Sequence, residues 1–184
     1  MAFLTLLDSL GRHLAGWGGL LQRADLGLLL ILLVGISMSL SHLFALLANL
    51  LSPRQIFVQL ILDGFVLGLA LLLCSLVDMM LLGRFAPVTV HPSRFVNEMG
   101  IALVPGLFYV FVAAPYISDL IALTIWGMIH LNVVVLLHHH FGLAYDQALL
   151  LSTPGYALAL VLVMGVFHQG WQNGYRRLAD QFAP

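Results

Sequence analysis

Two ionisable side chains lie inside long apolar stretches, at matching distances from one short loop. His42 comes about seven residues before the loop at 49–55, and Asp63 comes about eight residues after it. Because a helix rises 1.5 Å per residue, in antiparallel helices both would lie roughly 10–12 Å from the same membrane edge. We therefore expect a His42–Asp63 hydrogen bond or ion pair that fixes helix register, with a proton relay as the alternative role.

A second group of ionisable residues lies towards the other membrane face. Its members are Asp78, Arg84, Arg94, Glu98, Asp146 and the run His138-His139-His140. Carboxylates and imidazoles bind metals, which makes Glu98, His138 and His140 candidate metal ligands. Consecutive histidines cannot all point to one side of a helix, and imidazoles at a helix end can satisfy its last carbonyls. We expect a salt-linked interfacial cluster, with a metal site as the alternative.

His130 lies inside the fourth apolar stretch and could be an axial ligand of haem or chlorophyll. A haem held by two histidines needs both at one depth, whereas His42 and His130 lie towards opposite faces. The prediction is a histidine hydrogen-bonded to a neighbouring helix. A pigment held by His130 alone is the alternative, and no cofactor other than lipid is predicted.

The common catalytic motifs do not occur in the sequence. It has no Gly-x-Ser-x-Gly, no His-Glu-x-x-His and no phosphate-binding glycine loop. The single cysteine, Cys74, excludes an internal disulfide and any multi-cysteine metal site. The seven cations are all arginines and are balanced by eight acids, so no basic surface for nucleic acid is expected. These features predict a protein that is not an enzyme.

Helices in a membrane must position these residues. The composition is 61% hydrophobic and 8% charged, whereas a soluble domain has about 25% charged residues. A helix needs about 20 apolar residues to cross a bilayer, so the pattern predicts an all-α integral membrane bundle of five transmembrane helices. The predicted spans are 26–48, 56–82, 96–113, 118–137 and 147–167, within one domain at 25–168.

Small residues and prolines inside these spans predict how the helices pack. Gly64 and Gly68 in the second span, and Gly155 and Ala159 in the fifth, are small residues four positions apart. Such pairs allow helix backbones to approach closely. A proline also lies inside the third span and inside the fifth, where we expect it to kink or locally open the helix.

The two terminal segments lie outside the predicted bundle. Residues 1–24 predict an amphipathic helix in the membrane interface, with docking onto a partner subunit as the alternative. Its apolar stripe consists of Phe3, Leu7, Leu10, Leu14, Trp17 and Leu21. Residues 169–184 form a predicted C-terminal tail, in which Trp171 and Tyr175 are expected to anchor at the interface.

The distribution of arginines predicts an orientation. With five spans, four arginines fall on the side of the N-terminus and three on the other side. This excess favours a cytoplasmic N-terminus. The composition, rich in leucine, alanine and glycine and without lysine, indicates a bacterium and therefore its inner membrane.

Local patterns between Arg94 and Val163 resemble those of a known family. Gly100 is followed by apolar residues and Pro105, and Ile125-Trp126 precedes His139-His140-Phe141-Gly142-Leu143 and then Gln147-Ala148-Leu149. This order is similar to that of the Yip1 family of small five-span membrane proteins. The resemblance implies a bundle without known catalysis that acts through protein contacts. The Asp-Leu-Tyr-Gly-Pro segment of eukaryotic members does not precede the first span, which implies a bacterial-type member.

Taken together, these features predict a scaffold or accessory subunit of a larger integral membrane complex. Its expected partners are membrane lipids and other integral membrane subunits, and not nucleic acid. A small transporter or proton channel is the alternative, with a path lined by His42, Asp63, Asp78, Glu98 and His130. A pigment- or haem-binding subunit using His130 is the second alternative.

Overall fold

A computed structural model describes residues 9, 26–48, 51–86, 88–113 and 117–182, with side chains as far as Phe167. The regular structure of these residues is entirely helical, which confirms the all-α prediction for them. The elements are α1 (Gly27–Leu40), α2 (Leu43–Ala48), α3 (Pro53–Phe85), α4 (Pro92–Ala102), a 3₁₀ helix (Val104–Ala113), α5 (Ser118–Phe141) and α6 (Tyr145–Phe182). Apart from Ser9, the predicted helix at 1–24, including its apolar stripe, lies outside the described residues.

Within the part of the chain that the structure describes, three helices are long and apolar enough to cross a membrane: α3, α5 and the part of α6 from Tyr145 to Phe167. Helix α4 and the 3₁₀ helix together form a fourth such segment, bent by 41° at its break. Helix α1 has 14 residues and is roughly 21 Å long, against a hydrocarbon core of about 30 Å. The span predicted at 26–48 is divided in the structure, since a turn at Ser41 and His42 separates α1 from α2. The Ser41 hydroxyl donates to Met38 O at 2.6 Å where α1 ends.

Helix α3 begins where the sequence signals it. The Ser52 hydroxyl accepts a hydrogen bond from Gln55 N, and the Gln55 side chain accepts one from Ser52 N at 3.0 Å. Pro53 follows as the first helical residue, where its missing N–H costs nothing. The 33-residue helix extends beyond the predicted span 56–82 at both ends.

Glycines bring the backbones of α1 and α3 into direct contact. A Cβ on Gly35 would overlap the backbone of Gly64 and Gly68. A Cβ on Gly64 would lie 3.0 Å from Ile36 Cα, and one on Gly68 would lie 3.0 Å from Leu32 Cδ2. The two helices can therefore pack this closely only because these positions lack side chains.

Side chains from neighbouring helices satisfy the backbone around the bend. Helix α4 ends at Ala102, and Pro105 follows in the 3₁₀ helix, so the expected opening near this proline is present. Asn132 Nδ2 donates to Ala102 O at 3.1 Å. Ser37 Oγ donates to Leu107 O at 2.8 Å and accepts from Val110 N at 3.1 Å. A break inside a membrane helix is tolerated when its backbone groups find partners in this way.

The first turn of α1 is held by α4. Gly27 N donates to Asn97 Oδ1 at 2.7 Å. A Cβ on Gly100 would overlap the backbone of Gly27, so α4 lies directly against the start of α1. The N-terminal N–H groups of a helix lack partners within it, and Asn97 supplies one here from another element.

Helix α6 continues well past the predicted end of the fifth span. It runs to Phe182 and therefore includes most of the predicted tail at 169–184. Pro154 lies inside it without ending it. Ala159 is buried against α3 and α5 in a core that also contains Leu67, Leu71 and Trp126.

Candidate intramembrane polar site

The carboxylate of Asp78 is buried where α3 meets α6. Asp78 is 4% exposed, and its Oδ1 accepts a hydrogen bond from Gly155 N at 3.2 Å. A Cβ on Gly155 would overlap this carboxylate, so only glycine fits here. Buried carboxylates need hydrogen-bond partners, and within the described part of the chain Gly155 N is the one that Asp78 has.

Asp78 lines a cavity of about 30 Å³, enclosed mainly by α3, α5 and α6. This volume accommodates one or two water molecules. The other polar residues that line the cavity are Cys74, Ser75, Trp126, His130, Ser152 and Tyr156. The hydroxyls of Ser75 and Ser152 donate to their own helices, at Leu71 O and Leu149 O. Their oxygen lone pairs remain able to accept.

His130 lines the same cavity from α5. Its ring stacks on the Tyr156 ring, with 4.3 Å between centroids. Its Nδ1 is buried and, among the residues that the structure describes, finds no hydrogen-bond partner. The predicted hydrogen bond to a neighbouring helix is therefore replaced by a stacking contact.

His42 and Asp63 each have a different partner from the one predicted. The His42 ring packs on Phe167, with 3.9 Å between centroids, whereas Asp63 Oδ1 accepts from Gln59 Nε2 at 2.8 Å. The predicted pair is not formed because the register of α1 on α3 differs from that assumed. Ser39 Oγ donates to Leu60 O, which places His42 closer to the start of α3 than Asp63 is.

Glu98, a candidate metal ligand, joins Arg94 and His140. Glu98 is 1% exposed, and its Oε1 lies 2.8 Å from Arg94 Nε and 2.9 Å from His140 Nδ1. His138 Nδ1 instead lies 2.6 Å from Leu143 O, and its ring stacks on Tyr145. Among the described residues, no group of three histidine, cysteine or acidic side chains is arranged to hold a metal ion.

The expected interfacial cluster thus forms in part, from Arg94, Glu98 and His140. An open recess of about 340 Å³, lined by Arg94, His140 and His91 among others, adjoins it. Asp78 lies elsewhere, in the cavity with His130. Of the five residues proposed to line a transport path, Asp78 and His130 line one cavity together.

Several residues that hold the structure together carry no sequence motif. Ser37, Asn97 and Asn132 each reach a different element, and nothing in their spacing distinguishes them from other polar residues. Gly155 has two local signals: Ala159 follows it four positions later, and it comes directly after Pro154, where the pair interrupts an apolar run. These signals mark Gly155 as a packing position but do not identify the carboxylate that packs against it.

Comparison with known proteins gives no relative. No protein-family model matches the chain, and neither a curated protein nor a solved structure is significantly similar to it. The resemblance to the Yip1 family stays a prediction from local sequence patterns.

Proposed function

We propose that this protein is a five-span integral membrane accessory subunit that docks onto another membrane protein through α3. In this proposal the five spans are α1 with α2, α3, α4 with the 3₁₀ helix, α5, and α6 as far as Phe167, with the N-terminus in the cytoplasm of a bacterium. The long apolar helices support a membrane location. The argument for docking comes from one polar pair on α3.

Gln59 and Asp63 form this pair on a part of α3 that otherwise exposes large apolar side chains. Gln59 is exposed and Asp63 is half-buried, and the amide donates to the carboxylate at 2.8 Å. The neighbouring exposed residues are Phe57, Val58, Ile61, Leu62, Phe65 and Val66. Exposed apolar residues of this kind suit lipid, whereas an amide and a carboxylate do not.

The depth of Asp63 makes the pair costly in lipid. Helix α3 has 33 residues and is therefore roughly 50 Å long. If it is centred in a hydrocarbon core of about 30 Å, about 10 Å of the helix extends past the core at each end. Asp63 lies roughly 15 Å from the helix start and therefore inside the core. A carboxylate costs about 2.5–3.5 kcal/mol at the centre of a membrane helix and less nearer the edge of the core, where Asp63 lies, while one hydrogen bond within a membrane protein contributes about 0.6 kcal/mol.

The occupant that fits is a transmembrane helix of another protein that presents a hydrogen-bond donor at this depth. Such a helix would cover the apolar side chains and complete the hydrogen bonding of Asp63. Transport is less well supported. His42, Asp63 and Glu98 lie in separate surroundings from the cavity at Asp78.

Photo-crosslinking in native membranes tests the proposal. A photoreactive amino acid in place of Gln59 should cross-link to one integral membrane protein, and that protein should co-purify with the wild type in a fixed ratio. The change Asp63→Leu should abolish this co-purification without lowering the free energy of unfolding.

Leu123 on α5 provides a matched control position, since it is 71% exposed and has apolar neighbours. The photoreactive residue there should label lipid only. If the residue at position 59 labels only lipid, a second copy of the chain or the chain's own N-terminal segment, the docking proposal is wrong.

A further inference from the structure

We propose that the open recess beside Arg94 and His140 binds the phosphate group of an anionic phospholipid such as phosphatidylglycerol. The proposal rests on the membrane location of the chain but not on docking at Gln59 and Asp63. Its test does not involve that surface, so either proposal can fail alone.

The recess lies where the ends of several helices meet at one face of the membrane. Its polar lining residues are Thr89 and His91 between α3 and α4, Arg94 in the first turn of α4, and His140 in the last turn of α5. Residues so close to helix ends lie at the membrane edge, where phospholipid headgroups are found. In the proposed topology this is the cytoplasmic face, and basic pockets between membrane helices there bind anionic headgroups.

Glu98 holds two of these side chains at the wall of the recess. It is 1% exposed, and its Oε1 lies 2.8 Å from Arg94 Nε and 2.9 Å from His140 Nδ1. These contacts use one nitrogen of each side chain. They leave the two terminal nitrogens of the guanidinium and Nε2 of the imidazole for a ligand, and the Arg94 side chain is 61% exposed.

The chemistry of the lining favours an anion. Arg94 contributes a permanent positive charge, and His91 and His140 contribute imidazoles, whereas no acidic side chain of the described residues lines the recess. A guanidinium binds phosphate oxygens through paired N–H donors, and a protonated imidazole donates as well. An ethanolamine or choline group would find no carboxylate on this wall, so an anionic lipid fits better than a zwitterionic one.

The size and the apolar part of the lining favour a lipid over free phosphate. The recess has a volume of about 340 Å³, within the range of about 300–1,000 Å³ that is usual for small-molecule sites. Val88, Phe95 and Phe141 form the apolar part of its lining. They suit the glycerol backbone and the first acyl carbons of a lipid, from which a phosphate ion would gain nothing.

Native mass spectrometry of the full-length protein tests the site, with protein released from nanodiscs of phosphatidylcholine and phosphatidylglycerol in equal parts. The wild type should retain one phosphatidylglycerol per chain after the surrounding lipid has dissociated. His91→Asp should weaken this retention by about five- to tenfold, because it places a negative charge in the recess. His91 precedes α4 without a side-chain capping bond, and aspartate is a preferred residue there, so the variant should fold.

Ala144→Asp is the matched control, since it adds the same charge just before another helix at the same membrane face. Ala144 is exposed, directly precedes α6 and does not line the recess. This variant should retain phosphatidylglycerol as the wild type does. Equal retention by both variants, or equal loss from both, overturns the proposal.

Calorimetric titration with inorganic phosphate separates the two sources of the phosphate group. The protein in detergent without phosphatidylglycerol should not bind the free ion. Binding of the free ion that His91→Asp abolishes would identify soluble phosphate as the ligand and overturn the assignment to a lipid.

Discussion

Gly155 shows how much can depend on one missing side chain. Its Cα lies against the Asp78 carboxylate, and its N–H is the hydrogen-bond donor to that group. A methyl group here would therefore push a buried carboxylate from its one described partner. The sequence predicts Gly155 as a small residue for helix packing, and the structure shows that the packed group is a carboxylate rather than an apolar helix face.

Replacing Gly155 by alanine should destabilise the protein by about 1–3 kcal/mol, because the new Cβ overlaps a buried group with little room to move. The free energy of unfolding in mixed micelles measures this effect. Gly165→Ala on the same helix is the control, since its Cβ would meet nothing within 4 Å, and it should leave stability unchanged or raise it by up to about 1 kcal/mol, because alanine favours a helix over glycine. Equal effects of the two changes would contradict the close contact.

Polar residues illustrate what sequence can and cannot predict at this scale. Asp78 is predicted to belong to the interfacial cluster, but it is buried inside the bundle, where a charge in an apolar run finds protein. Gln59 lies on the same helix, but the helix turns by a net angle of roughly 100° between residues 59 and 78. Gln59 is therefore on a different face and is exposed.

At the scale of elements, the contact between α1 and α3 follows from residue types that are visible in the sequence. Gly64 and Gly68 are predicted to allow close approach, and the structure has their backbones against Gly35, Ile36 and Leu32 of α1. The helix register was not predictable from loop length, since α1 stops at Leu40 and the intervening turn changes the alignment. For this reason the predicted contact between His42 and Asp63 fails although both residues lie in the expected helices or next to them.

Alanine substitutions should rank the glycines by what each new methyl group would meet. Gly35→Ala should cost about 2–3 kcal/mol, because the Cβ overlaps backbone atoms that cannot rotate away. Gly68→Ala should cost about 1 kcal/mol, since its nearest contact is the movable end of Leu32. Gly83→Ala, where nothing lies within 4 Å, should be neutral or should stabilise by up to about 1 kcal/mol, because alanine favours a helix over glycine. Denaturant unfolding measures the series, and a different order would contradict the packing.

The bend between α4 and the 3₁₀ helix marks a second limit of sequence reasoning. Pro105 predicts that a helix opens, but it does not identify which side chains satisfy the opened backbone. That role belongs to Ser37 and Asn132, which are 68 and 27 positions away from Pro105 in the chain. Pairings between such distant positions depend on how the helices are arranged, which a single sequence does not specify.

For the whole molecule, the long apolar helices and the hydrophobic composition both indicate a helical membrane protein. The described residues form helices without strands, and three or four of these helices are long and apolar, which matches the class predicted from 61% hydrophobic residues. The proposed fifth span depends on α1, which is apolar but short. The number of spans is open to direct measurement.

Reporter proteins fused to each end should become active in opposite compartments, because an odd number of crossings separates the termini. The N-terminal fusion is expected to report the cytoplasm. A fusion placed in the segment between α3 and α4 should report the same side as the N-terminus, since two crossings precede it. Activity of both terminal fusions on one side would contradict five spans.

The unequal lengths of α1 and α3 have a consequence for the surrounding lipid. Helix α1 has 14 residues and packs against the 33-residue α3, so where α1 alone faces lipid, no single bilayer thickness suits both helices. Lipid tails beside the shorter helix must compress or admit headgroups, whereas the longer helix relieves its excess by leaning. Such local thinning of the bilayer favours membranes that are thinner overall. A neighbouring protein with an equally short helix would reduce the cost of this thinning if it packed beside α1.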